Sequence, residues 1–171
     1  MAHPPEVWLR GAIDGIPPVL QPAAHALVQA REDIGALAPA MERDVLWRRT
    51  AGAASAGFHL LHLSGALDRL FTYARGEALT EAQKTALRAE AIEQPDLDGP
   101  ALAALAGAAI DRALDQLRRT PAESVFDERR VGRAGLPSNV LGLLFHGAEH
   151  TTRHVGQFLT TVKLVGAASA L

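Results

Sequence analysis

The chain has 171 residues, with 17 basic and 19 acidic side chains and a formal charge of −2. That is long enough to bury a core in one domain, and too nearly neutral to present the basic footprint that nucleic acid or an anionic membrane demands. It has no cysteine, which excludes disulfides, thiolate metal ligands and a cysteine nucleophile together, so any metal must be held by nitrogen and oxygen.

Alanine and leucine dominate while aromatic residues make up 5%, and this bias predicts an all-α fold. Residues 1–18 carry four of the ten prolines and are expected to run extended over the surface until Pro17, Pro18 and Pro22 open a helix whose first turn tolerates them. The same segment lacks a basic n-region and an unbroken apolar stretch. No later segment approaches about 18 uninterrupted apolar residues, so a soluble, cytoplasmic protein without a membrane partner is expected.

The first helix is predicted over roughly 19–38, ending before Pro39. "AMERDVLWRR" then supplies a short connecting turn of helix anchored by Trp47. "TAGAASAGFHLLHLSGALDRLFTYAR" keeps a helical period from about Thr50 to Arg75 and stops at Gly76, a left-handed cap. Thr80 and Gln83 read as a capping box that opens a short helix. After "EQPDLDGP", with Asp98 or Gly99 at the cap, a third long helix covers roughly 100–119. The stretch over about 120–136 reads as a loop that is either a lid or a crossover. The fourth long helix runs from near Pro137 to about Val165, and the alanine-rich tail "GAASAL" should fray or pack weakly. Apolar stripes on four long helices are buried most simply in a bundle, so one domain over 1–171 is expected, with short extra helices in the connections.

Within "LFHGAEHTTRHVGQF", His146, His150 and His154 recur every four residues. Each step advances about 40° and rises about 6 Å, so the three share one face of the fourth helix, at the border of its apolar side. Two imidazoles at i and i+4 can reach one metal ion from adjacent turns, as helical histidine pairs of zinc enzymes do. A third ligand must come from another helix. On the second helix His62 lies in a polar stripe with His59, Arg69 and Tyr73, a row that implies a lined cavity rather than ordinary core. The zincin motif is absent, because Thr151 follows His150 where that motif needs glutamate. "HGAEH" matches an inverted H-x-x-E-H pattern, but five residues match easily.

Two blocks carry a family resemblance that covers most of the chain: "GFHLLHLSGALDRLFTYARGEALT" and "HGAEHTTRHVGQF", the second of the form H-x-x-x-H-x-G-Q. They resemble the DinB/YfiT-like superfamily of four-helix-bundle, metal-dependent enzymes. The resemblance implies an up-down-down-up bundle, frequent homodimers, and a divalent metal such as zinc or nickel on His62, His150 and His154. His59 and His146 are the alternates, one turn away. The activities it implies range from transferases and isomerases that use a low-molecular-weight thiol to hydrolases.

On this reading the metal activates water or a thiol brought by a small-molecule cosubstrate, which suits a chain without cysteine. Arg69 would grip a substrate carboxylate and Tyr73 would donate a hydrogen bond; the alternative for Arg69 is a buried ion pair with Glu149 or Glu90. Gln157 is a candidate to orient a ligand, and Glu149 a candidate general base, although its angle turns it from the metal. The rival reading is a non-catalytic helical module with a structural or vestigial metal site. The run "DERR" reads as a solvated loop, so no nucleic-acid partner is expected.

Overall fold

The computed structural model describes residues 4–50, 52–94 and 96–168. Pro17 leads into a 3-10 turn at Pro18–Leu20, which hands the chain to α1 (Gln21–Leu37). Pro22 falls in the first turn of α1, where its missing N–H would have had no helical partner. The segment before it is moored rather than simply extended. Val7–Leu9 form a 3-10 turn, Val7 is buried and donates its N–H to Gln29 Oε1 at 3.0 Å, and Arg10 grips Glu32 at 2.7 and 2.9 Å.

The short α2 (Arg43–Trp47) ends on Trp47, whose Nε1 donates to Leu97 O at 3.2 Å while its ring lies against Gly57. The second long helix, α3 (Ala56–Ala74), starts later than the predicted position near Thr50, because Ser55 Oγ accepts the Phe58 amide at 3.2 Å and caps the helix there. Thr80 and Gln83 form the predicted capping box of α4 (Glu81–Ala89). Asp98 accepts the Ala101 amide at 2.9 Å and opens α5 (Gly99–Arg119). At its first residue α5 presses on the end of α1, so closely that a Cβ on Gly99 would lie 2.1 Å from Ala38 O.

The stretch read as an irregular loop holds an antiparallel hairpin, β1 (Glu128–Val131) with β2 (Leu136–Asn139), in register from Glu128 opposite Asn139 to Val131 opposite Leu136. Gly132 and Gly135 take positive φ between the strands, a geometry that other residues resist. Pro137 lies in β2, so α6 (Val140–Ala168) begins after Asn139, whose Oδ1 accepts the Gly142 amide at 2.7 Å. α6 runs past the predicted end near Val165 to Ala168, and the rest of the tail, 169–171, lies outside the described residues.

The chain is mostly helical. Each of α3 and α1 packs against both α6 and α5, which closes a ring of four long helices. Inside it Leu27 and Ile34 of α1 meet Leu60, Leu63 and Leu67 of α3, Ile110 and Leu117 of α5, and Leu144 and Phe158 of α6, each 0–1% exposed. Fully burying side chains of this kind stabilises a fold by about 1.5–3 kcal/mol each. No helix among the described residues is long and apolar enough to cross a membrane.

Candidate metal centre

The site forms where α3 meets α6, the most extensive helix pairing in the fold. Small residues allow the approach. A Cβ on Gly147 of α6 would lie 2.8 Å from the Phe71 ring of α3, so any larger residue at that crossing would force the ring to shift. The buried hydroxyls along it satisfy themselves within their own helices, Ser64 to Leu60 O at 2.7 Å and Thr151 to Gly147 O at 2.8 Å.

At this crossing the rings of His62 on α3 and of His150 and His154 on α6 converge. One nitrogen from each lies within 4.8 Å of the other two. The Nε2 atoms of His62 and His150 are 3.1 Å apart, and the centroids of His154 lie 4.6 and 4.5 Å from those of His62 and His150. Phe58 stacks on His62 at 5.3 Å and 9° and walls the cluster. The far side of His62 is held by Glu90, the C-cap residue of α4: its Oε2 lies 2.8 Å from His62 Nδ1. The same carboxylate takes Arg69 at 2.5 and 3.3 Å, and all of this folds over Gly65, where a Cβ would sit 2.2 Å from Glu90 Oε1.

The protonation pattern follows from burial. Desolvation, then the proximity of the other rings, pushes His154 down from 6.5 to about 4. Desolvation also lowers His150, with His62 and His146 adding to it, and lowers His59, with His62 adding to it. These imidazoles are therefore neutral at pH 7 and present lone pairs. Burial alone would raise Glu90, yet hydrogen bonds from His62 and Arg69 outweigh it and keep the carboxylate below its ordinary range.

The five histidines singled out in the sequence separate into three roles. His62, His150 and His154 form the cluster. His59 is buried behind it, its Nδ1 3.0 Å from His154 Nδ1, so it partners a cluster member. His146 lies on the surface, 3.3 Å from Glu149, and does not join. The remaining predicted residues stand apart from the cluster. Arg69, 8% exposed, is held by Glu90 rather than turned toward a substrate, the ion pair weighed as its alternative. Glu149 is gripped by Arg153 at 2.5–3.0 Å on the surface, and that partner holds its carboxyl below the usual range, which makes it a poor general base. Tyr73 packs half-buried against the core. Gln157 is exposed and makes no hydrogen bond to a cluster histidine among the described residues. It lines a cleft of about 820 Å³ beside His59 and His154, with Phe58 and Leu164.

Glu90 is the residue the sequence reading undervalued, naming it only as a partner for Arg69. Its signal was its place at the end of α4, an acid nine-tenths buried in the connection that folds back on α3. The donor set fits a divalent cation. Two nitrogens bound to one ion at about 2.0–2.1 Å stand about 3.0–3.4 Å apart, a range that includes the 3.1 Å between His62 and His150. Histidine ligands also keep their second nitrogen on a carboxylate or similar acceptor. His62 has Glu90 and His154 has His59 in that position, whereas His150 Nδ1 is buried with no partner among the described residues. A comparison with curated proteins finds no match. The DinB superfamily model matches residues 26–158, more than half of the chain and all of the cluster, and the protein belongs to that superfamily.

Proposed function

We propose that the protein is a metal-dependent enzyme in which His62, His150 and His154 hold one divalent ion, zinc or nickel, beside a cleft that admits a small-molecule substrate. The observation that carries this reading is the convergence of three imidazole nitrogens within 4.8 Å, one of them on His154, which lines the 820 Å³ cleft. A divalent ion there would supply Lewis acidity, making a nucleophile of water or of a low-molecular-weight thiol at neutral pH.

The chain's own residues prepare the site. Burial keeps the His150 and His154 rings neutral at pH 7, Glu90 fixes the tautomer and orientation of His62, and His59 does the same for His154. Phe58 and Leu164 give the cleft apolar walls, while Thr160, Thr161 and Gln157 offer hydrogen bonds for orientation. Family membership supports an up-down-down-up course for the four long helices and a homodimer. It also favours transfer of a thiol to an electrophile, or hydrolysis, as the reaction.

One observation favours a second reading, a non-catalytic module with a structural metal site. Arg69 and Glu149, the charged residues best suited to handle substrate or protons, are both closed into ion pairs. The test is to load the full chain with zinc or nickel, then measure thiol consumption with small electrophiles beside a screen of ester and amide hydrolysis. Turnover that disappears in His150→Ala supports the enzyme. Absence of turnover in both assays, with metal bound, supports the module.

A further inference from the structure

A second concave feature has no histidine in its lining. Side chains of α3, α5, β1 and the turn before the hairpin enclose a cleft of about 500 Å³, within the size range of small-molecule sites. Its floor is apolar, formed by Leu67, Phe71, Ala109, Ala113 and Val140, and its rim carries Arg75, Arg112, Arg119 and Arg129 against a single carboxylate, Asp68.

The four guanidinium groups differ in what holds them. Arg75 is fixed by Gln116 at 2.6 Å and Glu77 at 2.9 Å, and Arg129 donates to Ala74 O at 2.8 Å. Arg112 and Arg119 have no ion-pair or hydrogen-bond partner among the described residues. The acids nearest them on α5 are engaged elsewhere, Asp111 by Arg31 and Asp115 by Arg118, and Asp68 accepts Gln83 Nε2 at 2.6 Å. Arg112, Gln116 and Arg119 follow at spacings of four and three, so they share one face of α5. The start of α6 does not supply anion-binding amides, because Val140, Leu141 and Gly142 donate to Asp127 O, Val125 O and Asn139 Oδ1. Anion capture in this cleft falls to the arginine side chains.

We propose that this cleft binds a small organic anion, its carboxylate or phosphate head taken by Arg112 and Arg119 and its apolar body seated on the floor between Phe71 and Val140. Planar guanidinium groups match both heads with paired hydrogen bonds. None of His62, His150 and His154 lines this cleft. Calorimetric titration of the full chain with phenyl phosphate, benzoate, inorganic phosphate and benzyl alcohol tests it. The expected result is that at least one aromatic anion binds more tightly than both inorganic phosphate and the neutral alcohol. Preference for phenyl phosphate would identify a phosphate ligand, and preference for benzoate a carboxylate. The Arg112→Gln/Arg119→Gln double variant, altered only at exposed positions, should lose about tenfold or more in affinity, while Arg133→Gln, outside the cleft, should lose none. Failure of both aromatic anions to bind, equal binding of inorganic phosphate or benzyl alcohol, or an unchanged double variant would overturn the assignment.

Discussion

Glu90 holds the site together, and its removal should be felt in both stability and metal affinity. The carboxylate is 6% exposed and accepts from Arg69, itself 8% exposed, and lies 2.8 Å from His62 Nδ1. Glu90→Ala leaves a guanidinium buried without its counter-charge, a change that costs about 3–5 kcal/mol, set against a total stability of about 5–15 kcal/mol for a domain of this kind. Glu90→Gln keeps the volume over Gly65 and one acceptor oxygen, so it should cost less, on the order of 1–3 kcal/mol. In that variant His62 or Arg69 must face an amide N–H, and metal affinity should fall about 10–100-fold. Urea unfolding followed by far-ultraviolet circular dichroism reads the first quantity, and competition against a zinc chelator reads the second. A Glu90→Gln protein with unaltered unfolding midpoint and unaltered zinc affinity would refute the role assigned to this carboxylate.

Three further outcomes follow from the same structure. The metal-free protein should lose stability as pH falls from about 6.5 toward 4, because the folded state depresses His154 to about 4 and also lowers His59 and His150, so that the unfolded chain binds more protons in that window. A chemical-denaturation series across this range measures the loss. Gly99→Ala should destabilise the fold by more than about 4 kcal/mol, or prevent soluble folding, because the added Cβ meets the backbone oxygen of Ala38 at 2.1 Å and neither helix end can yield cheaply; thermal unfolding checks it. His59→Leu should keep helix content but weaken metal binding about 10-fold or more by removing the partner of His154 Nδ1, as chelator competition would show.

Much of the fold was legible because its signals are local. The Thr80–Gln83 capping box, the prolines opening α1 and the Asp98 cap each act within one turn, and each stands where the sequence places it. The hairpin at 128–139 was not legible: its strands are four residues each, and "ERRV" and "LPSN" carry little β-branched or aromatic signal. The start of α3 was misjudged because "TAGAASA" has good helix propensity. The cap at Ser55 and the positive φ of Gly52 override that propensity. Helical period alone placed His62, His150 and His154 on faces able to meet, but it could not separate His59 from His62, three residues apart on one stripe. That separation depends on how α3 is rotated against α6 and on Glu90, which arrives from a helix 28 residues away in sequence and seizes His62. For the same reason the sequence left Arg69 open between a substrate carboxylate and a buried ion pair with Glu149 or Glu90, since its partner, Glu90, comes from outside its own helix.

The most direct measurement of the central claim is metal binding by equilibrium dialysis against zinc and nickel, with elemental analysis of the full chain and of His62→Ala, His150→Ala and His154→Ala. Predicted are one ion per chain in the unaltered protein, loss of that ion in each variant, and helix content that stays nearly constant. A chain that takes up no metal, or variants that retain a full equivalent, would contradict the three-histidine centre.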